Sequence, residues 1–244
     1  MFRIVEFPSE GATLRGRLYL LPNASKPQPI VIMAHGFSAT INGMVAEKYA
    51  EVFYKAGFAV LLYDHRNFGI SGGEPRQEIN EWIQARGYRD AMDFATTLSE
   101  IDADRIAIWG DSTSGAEVIV VGALDDRVKA IVAQIPACGD VLPPDDIEGR
   151  LFESVKHTLL HKDVNGPPEN TVGPLPVVSS DQMSAPSFLT PLTAFHWFIQ
   201  YGARYGTNWE NHATWVEPKT PAPFHTVLCA PFLKAPILMV IAVQ

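Results

Sequence analysis

Five short runs rich in β-branched residues confine this chain to a narrow set of folds: IVIMAHG from Ile30, FAVLLYD from Phe58, RIAIWG from Arg105, VKAIVAQIP from Val128 and PILMVIA from Pro236. Runs this apolar, with no polar alternation, suit strands buried on both faces, as in a parallel sheet. Helical patterns lie between them. NGMVAEKYAEVFYKAG is built of good helix formers and stops at Gly57, NEWIQARGYRDAMDFATTLSE sets Tyr88, Ala91, Ala95 and Leu98 on one face, and GAEVIVVGAL is apolar nearly all round. Strands alternating with helices predict βαβ crossovers and a doubly wound, mostly parallel α/β sheet. Ahead of it, FRIVEF and TLRGRLYLL, separated by PSEGA, predict an antiparallel hairpin at the sheet edge.

After Pro136 this regularity fails. Most of the prolines lie from there onward, and NGPPENTVGPLPVVSSDQMSAPS holds neither a long helix nor a central strand. The expected organisation is an α/β core from residues 1–137 and 226–244, with residues 138–225 as a cap-like helical insertion over one end of the sheet. Short helices are expected near 146–162 and 190–204. A length of 244 residues accommodates one such core.

With 19 Lys and Arg against 27 Asp and Glu, the formal charge of -8 repels polyanions, and no basic cluster interrupts it, so nucleic acid is not an expected partner. The first residues, MFRIVEFPSEG, lack the apolar core of a signal peptide, and no stretch approaches the roughly 20 apolar residues that span a bilayer. A cytoplasmic protein without a membrane partner is the expectation. Cys138 and Cys229 lack CxxC spacing and read as buried thiols rather than zinc or redox ligands.

The stretch IAIWGDSTSG places Ser112 where a strand turns sharply into a helix. A serine there is forced into a strained backbone, so its neighbours two residues away must be small, which Gly110, Ser114 and Gly115 satisfy. The turn lifts the hydroxyl above the carboxyl ends of the strands and points the first amides of the next helix at the same spot. A serine that merely caps a helix has the same local sequence.

Two further motifs precede this turn. His35-Gly36-Phe37 ends one predicted strand, and Tyr63-Asp64-His65-Arg66-Asn67-Phe68-Gly69-Ile70-Ser71 follows the next. Taken together, the three resemble the α/β-hydrolase family, whose pattern is H-G-x, then Y-D-x-R-G-x-G-x-S, then G-x-S-x-G; here Asn67 stands for the first glycine of the second motif, and the turn reads G-D-S-T-S-G. The resemblance covers residues 3–137, fits the insertion poorly, and takes APILMVIA as the seventh strand. It implies that Ser112 is a nucleophile, that the backbone N–H groups of Phe37 and Thr113 form an oxyanion hole, and that His35 and Asp64 brace loops. Arg66 is expected to tie a turn. No metal or organic cofactor is implied.

The same resemblance expects an acid after the seventh strand and a histidine after the eighth. Val243 and Gln244 stand at the acid position, and the family's last strand and helix are not represented, so a shortened hydrolase is expected, with self-association through the edge of PILMVIA. Asp140 is an alternative acid, and His196, His212 and His225 are alternative bases. His157 and His161 share a helix face at metal-pair spacing, without the glutamate of H-E-x-x-H. Aromatic residues in FLTPLTAFHWFIQYGARYGTNWENHATWVEP either wall an acyl pocket or pack the insertion onto the core. The expected substrate is an uncharged small-molecule ester or thioester; a catalytically inactive binding protein and an acyltransferase are the other readings.

Overall fold

The computed structural model describes residues 2–161 and 167–242; Val243 and Gln244, assigned above to the acid position, lie outside them. A seven-stranded sheet has the order β1-β2-β4-β3-β6-β7-β10. The hairpin β1 (Phe2–Ser9) and β2 (Ala12–Tyr19) is antiparallel, and β2 joins β4 (Ala59–Tyr63) antiparallel. From β4 onward all is parallel: β3 (Gln28–Ala34), β6 (Ile101–Asp111), β7 (Val128–Gln134) and β10 (Ile237–Val240).

Alternation along each strand sorts side chains between two layers. Ile30, Ile32, Leu61, Tyr63, Ile106 and Ile108 bury in one cluster with helices α2 (Glu81–Thr96) and α3 (Ser112–Leu124). Val31, Met33, Val60, Leu62 and Trp109 face the other way, onto Ala46 and Ala50 of α1 (Ala46–Lys55). Helix α2 starts where Asn80 Oδ1 accepts the N–H groups of Trp82 and Ile83 at 3.1 and 3.3 Å, a side-chain cap. Helix α3 is buried on nearly every side, as its composition requires.

Two expectations about residues 138–225 need correction. The segment carries strands as well as helices: β8 (Pro168–Leu175) pairs antiparallel with β9 (Ala213–Pro218), and β9 pairs parallel with the two-residue β5 (Glu78–Ile79). PENTVGPL forms a strand because it sits at the sheet edge, where prolines are tolerated, and its register shifts between Pro168 and Asn170 and again across Gly173-Pro174. Helix α4 (Arg150–His161), moreover, does not sit over the sheet end; Phe152, Val155 and Leu159 bury in the main core cluster. Helix α5 (Leu192–Tyr201) falls within its expected span, and a short α6 (Thr226–Cys229) precedes β10.

Cys229 is buried, which pushes its thiol up to about 12, whereas Cys138 is partly exposed. At the β10 edge Leu238, Met239, Val240 and Ile241 are exposed. None of the described helices is long and apolar enough to cross a membrane.

Candidate active site

Ser112 is the first residue of α3 and has φ +52°, a left-handed conformation that costs about 1–2 kcal/mol for a residue other than glycine. The strain persists because the backbone is gripped on every side. A Cβ on Gly110 sits 2.2 Å from the Ser114 carbonyl oxygen, and one on Gly115 sits 2.9 Å from Pro136 Cα. The Ala137 N–H donates to the Ser112 carbonyl at 2.9 Å, tying the turn to the end of β7.

The loop after β3 packs directly onto this turn. A Cβ on Gly36 falls 2.5 Å from the Asp111 carbonyl oxygen and 2.9 Å from Ser112 Cβ, so only glycine permits the approach. The Gly36 N–H donates to Asp111 Oδ1 at 2.8 Å. His35 lies below: its Nε2 accepts the Ala46 N–H at the start of α1 at 3.2 Å, which leaves the proton on Nδ1, 3.5 Å from Asp111 Oδ1. Asp64 is buried and accepts the N–H groups of Ile41 and Ile70 at 2.8 and 2.9 Å, joining the loops after β3 and β4. Burial lifts its carboxyl to about 6 against those two hydrogen bonds. His35 and Asp64 thus hold backbone, and Arg66 donates to the Glu74 carbonyl at 3.2 Å within a turn.

Gly36, Phe37, Ala39, Asp111, Ser112, Ile135, Leu189, Ala194, Trp197 and Phe198 enclose a cavity of about 280 Å³. Apart from Asp111, Ser112 and backbone atoms, its wall is apolar. Phe37 stacks on Trp215 at 5.9 Å and packs on Phe188 at 5.2 Å, so the aromatic segment both packs the core and, through Trp197 and Phe198, lines the pocket. Phe37 and Ser112 share this cavity; Thr113 faces a neighbouring one of about 260 Å³, with Glu81, Cys138 and His225.

None of the alternative bases hydrogen-bonds Ser112. His225 uses both ring nitrogens, Nδ1 accepting the Val227 N–H at 3.1 Å and Nε2 lying 3.0 Å from the Val141 carbonyl. His212 lies 3.7 Å from Glu210, His196 packs beside Phe195, and Asp140 is exposed. His157 and His161 face each other on α4, with ring centroids 4.5 Å apart, but no group of three metal-ligating side chains occurs among the described residues. Among those residues, no side chain hydrogen-bonds the Ser112 hydroxyl.

One cluster escaped the motif reading. Beneath the turn, Ser114 Oγ lies 2.6 Å from the His35 carbonyl, 2.8 Å from His65 Nε2 and 2.9 Å from Glu117 Oε2, all fully buried. The signal was present in GAEVIVVGAL, since a lone glutamate in an otherwise apolar helix needs buried partners.

A larger cavity, about 420 Å³, lies between α2 and β9, lined by Glu81, Trp82, Glu217 and Phe224 among others. Burial, and then the charge of Glu217, push Glu81 up to about 7. A carboxyl raised in the folded state favours folding below its unfolded pKa and forfeits that contribution as pH rises through the folded value. Glu81→Gln is therefore expected to raise the melting temperature above neutral pH and leave it unchanged near pH 4, as read by thermal denaturation across that range. Equal shifts at both ends contradict the burial of Glu81 as a charge.

A strained serine at a strand–helix turn, above a parallel sheet and against a glycine-bearing loop, is the arrangement of an α/β-hydrolase. The family model described as serine aminopeptidase, S33, matches residues 25–171, and the chain belongs to this family of α/β-hydrolases. It is similar to the thiohydrolase aneE of Aspergillus aculeatus, 44% identical over 54% of this chain and 41% of the relative. It is also similar to the acyltransferase drtE of Aspergillus calidoustus, 36% identical over 55% of this chain and 43% of that protein. These matches span less than half the length of either relative. In structure it resembles the α/β-hydrolase GrgF from Penicillium sp. sh18, with a TM-score of 0.67 and 26% identity over 99% of this chain and 80% of that one.

Proposed function

We propose that this chain carries the acyl-transfer site of a serine hydrolase for carboxylic esters and thioesters. In this reading the Ser112 oxygen attacks the acyl carbonyl, the backbone N–H groups of Phe37 and Thr113 stabilise the oxyanion, and the C–O or C–S bond breaks as the acyl-enzyme forms, the Ser112 proton leaving with the alcohol or thiol. Water then releases the acid. The observation that carries the reading is Ser112 itself, held at φ +52° at the mouth of an apolar cavity. Strain of this kind persists where the surrounding structure imposes it, and it clusters at reactive residues. Two donors aimed at a developing oxyanion contribute about 3 kcal/mol each in a site that excludes water.

A cavity of about 280 Å³ is near the lower end of ligand pockets and suits a small to medium uncharged acyl group. Ala194 on α5 forms part of its wall, and Ala194→Phe fills it. The expected result is a fall of about tenfold or more in kcat/KM for octanoyl relative to acetyl esters, measured by paired kinetics. An unchanged ratio places the acyl group elsewhere.

The likeness to a thiohydrolase and an acyltransferase favours thioesters as the better substrate and an alcohol or amine as a second acceptor. Parallel turnover of matched oxygen esters and thioesters, with and without added acceptor, separates these activities, and Ser112→Ala controls for background. Substrate binding without turnover in either series supports the inactive-binder reading instead. The part of residues 138–225 that follows α4 as a cap, and self-association through the exposed β10 edge, belong to the same proposal. Concentration-dependent sedimentation tests the latter.

A further inference from the structure

Two residues of the turn, one before Ser112 and one two positions after it, grip a single peptide group. Asp111 Oδ1 accepts the Gly36 N–H at 2.8 Å, and the Ser114 hydroxyl lies 2.6 Å from the His35 carbonyl. That N–H and that carbonyl belong to the same His35–Gly36 peptide. Fixing both ends fixes its plane; the next peptide, which carries the Phe37 N–H, hinges on Gly36 from that fixed plane and is held at its own carbonyl by the Ala39 N–H at 3.2 Å.

Hydrogen-bond accounting then determines the protonation beneath the turn. A hydroxyl has one proton to donate and two lone pairs to accept with. A carbonyl only accepts, so the Ser114 proton points at His35 O. His65 Nε2 at 2.8 Å and Glu117 Oε2 at 2.9 Å must therefore both donate to Ser114 Oγ. His65 donates as the neutral Nε2–H tautomer, and Glu117 can donate only as a carboxylic acid. The Tyr88 hydroxyl also lies within hydrogen-bond reach of Ser114, but its proton goes to the Trp109 carbonyl at 2.8 Å, so it supplies no donor to Ser114 Oγ.

The surroundings agree. Glu117 and His65 are buried, no Lys or Arg ion pair to either occurs among the described residues, and Glu81 from α2 and Asp111 from the turn add negative charge near Glu117, against the Ser114 hydrogen bond. Tyr63 and Tyr88 face it with neutral hydroxyls, both driven up by burial. Burial raises Glu117 well above the usual carboxylate range and lowers His65 to about 3. Their 3.4 Å approach is accordingly not an ion pair.

We propose that Asp111 and Ser114 are positioning residues that clamp the His35–Gly36 peptide and so help aim the Phe37 N–H, with Glu117 as a carboxylic acid that donates to and orients the Ser114 hydroxyl. The catalytic half of this statement rests on the acyl-transfer reading above; the clamp itself does not.

The test uses Ser114→Ala, Glu117→Leu and Glu117→Gln. Glutamine keeps a donor at the Glu117 position and leucine does not. Ser114→Ala and Glu117→Leu are expected to lower kcat about 10²-fold, the cost of misplacing an active-site group by about 1 Å, while KM changes less than about threefold. Glu117→Gln is expected to recover most of the activity lost in Glu117→Leu. Two readouts are independent of activity. Infrared spectra of the wild-type protein at neutral pH should contain a carboxylic-acid C=O band that Glu117→Gln removes, and amide exchange at Gly36 should accelerate in Ser114→Ala. Unchanged exchange, or no such band, overturns the proposal. So does a Glu117→Gln variant as slow as Glu117→Leu. Accelerated exchange in a protein whose Ser112→Ala variant turns over as fast as wild type upholds the clamp and removes the acyl-transfer reading.

Discussion

Ser112→Ala should abolish covalent labelling by a fluorophosphonate and lower ester and thioester turnover by about 10³-fold or more. The magnitude follows from the role. A nucleophile splits one difficult displacement into two easier ones, and its loss cannot be offset by a neighbouring group. Ser114, two residues on, is fully buried, and its proton is committed to the His35 carbonyl at 2.6 Å. Thr113 Oγ1 is buried and has no hydrogen-bond partner, and Thr113 lines a different cavity. Substrate binding should survive, because the pocket wall is made by Phe37, Leu189, Trp197 and Phe198 rather than by the hydroxyl. The expected kinetic signature is thus a collapse of kcat with KM nearly unchanged, checked by steady-state assays beside a binding titration. A variant that retains a tenth or more of the activity assigns the chemistry to another residue.

Gly110→Ala should destabilise the fold by about 3 kcal/mol, at the upper end of overpacking costs, and lower the melting temperature by ~6–12 °C for a domain of this size. One methyl group suffices because nothing around it can yield. Its Cβ meets the Ser114 carbonyl oxygen at 2.2 Å and the Tyr88 hydroxyl at 2.9 Å. The first is backbone of the helix that carries Ser112, and the second is a buried phenol bonded to Trp109 and Ala34. Relief requires α3 to move away from β6, which also breaks the Ser112 conformation, so activity should fall with stability. Calorimetry of the variant checks the first effect and labelling kinetics the second. A loss under about 1 kcal/mol contradicts the packing described for the turn.

The sheet was legible because its signals are local. Each of the five apolar runs became a parallel strand, and the pairing of His35-Gly36-Phe37 with the serine turn followed from their positions at the carboxyl ends of β3 and β6. The smallness rule at Gly110 and Gly115 also held, as their contacts show. Strands β5, β8 and β9 were not legible. A two-residue strand such as Glu78–Ile79 has no periodicity to detect and exists only because β9 returns beside it. PENTVGPL reads as loop because proline excludes central strands, and edge placement is a tertiary fact. Helix α4 was placed over the sheet end because its amphipathic pattern does not say which surface its apolar side covers; Phe152, Val155 and Leu159 meet the main core. The Ser114, His65 and Glu117 cluster joins two elements far apart in the chain, and only the lone acid in an apolar helix hinted at it.

The most direct measurement is tandem mass spectrometry of the peptide spanning Ile106 to Arg127 after exhaustive treatment with a fluorophosphonate. The peptide contains both Ser112 and Ser114, and fragmentation tells them apart. The proposed acyl-transfer site predicts a single adduct on Ser112, absent from Ser112→Ala. An adduct on Ser114, or a peptide left unmodified while the protein still hydrolyses esters, contradicts it.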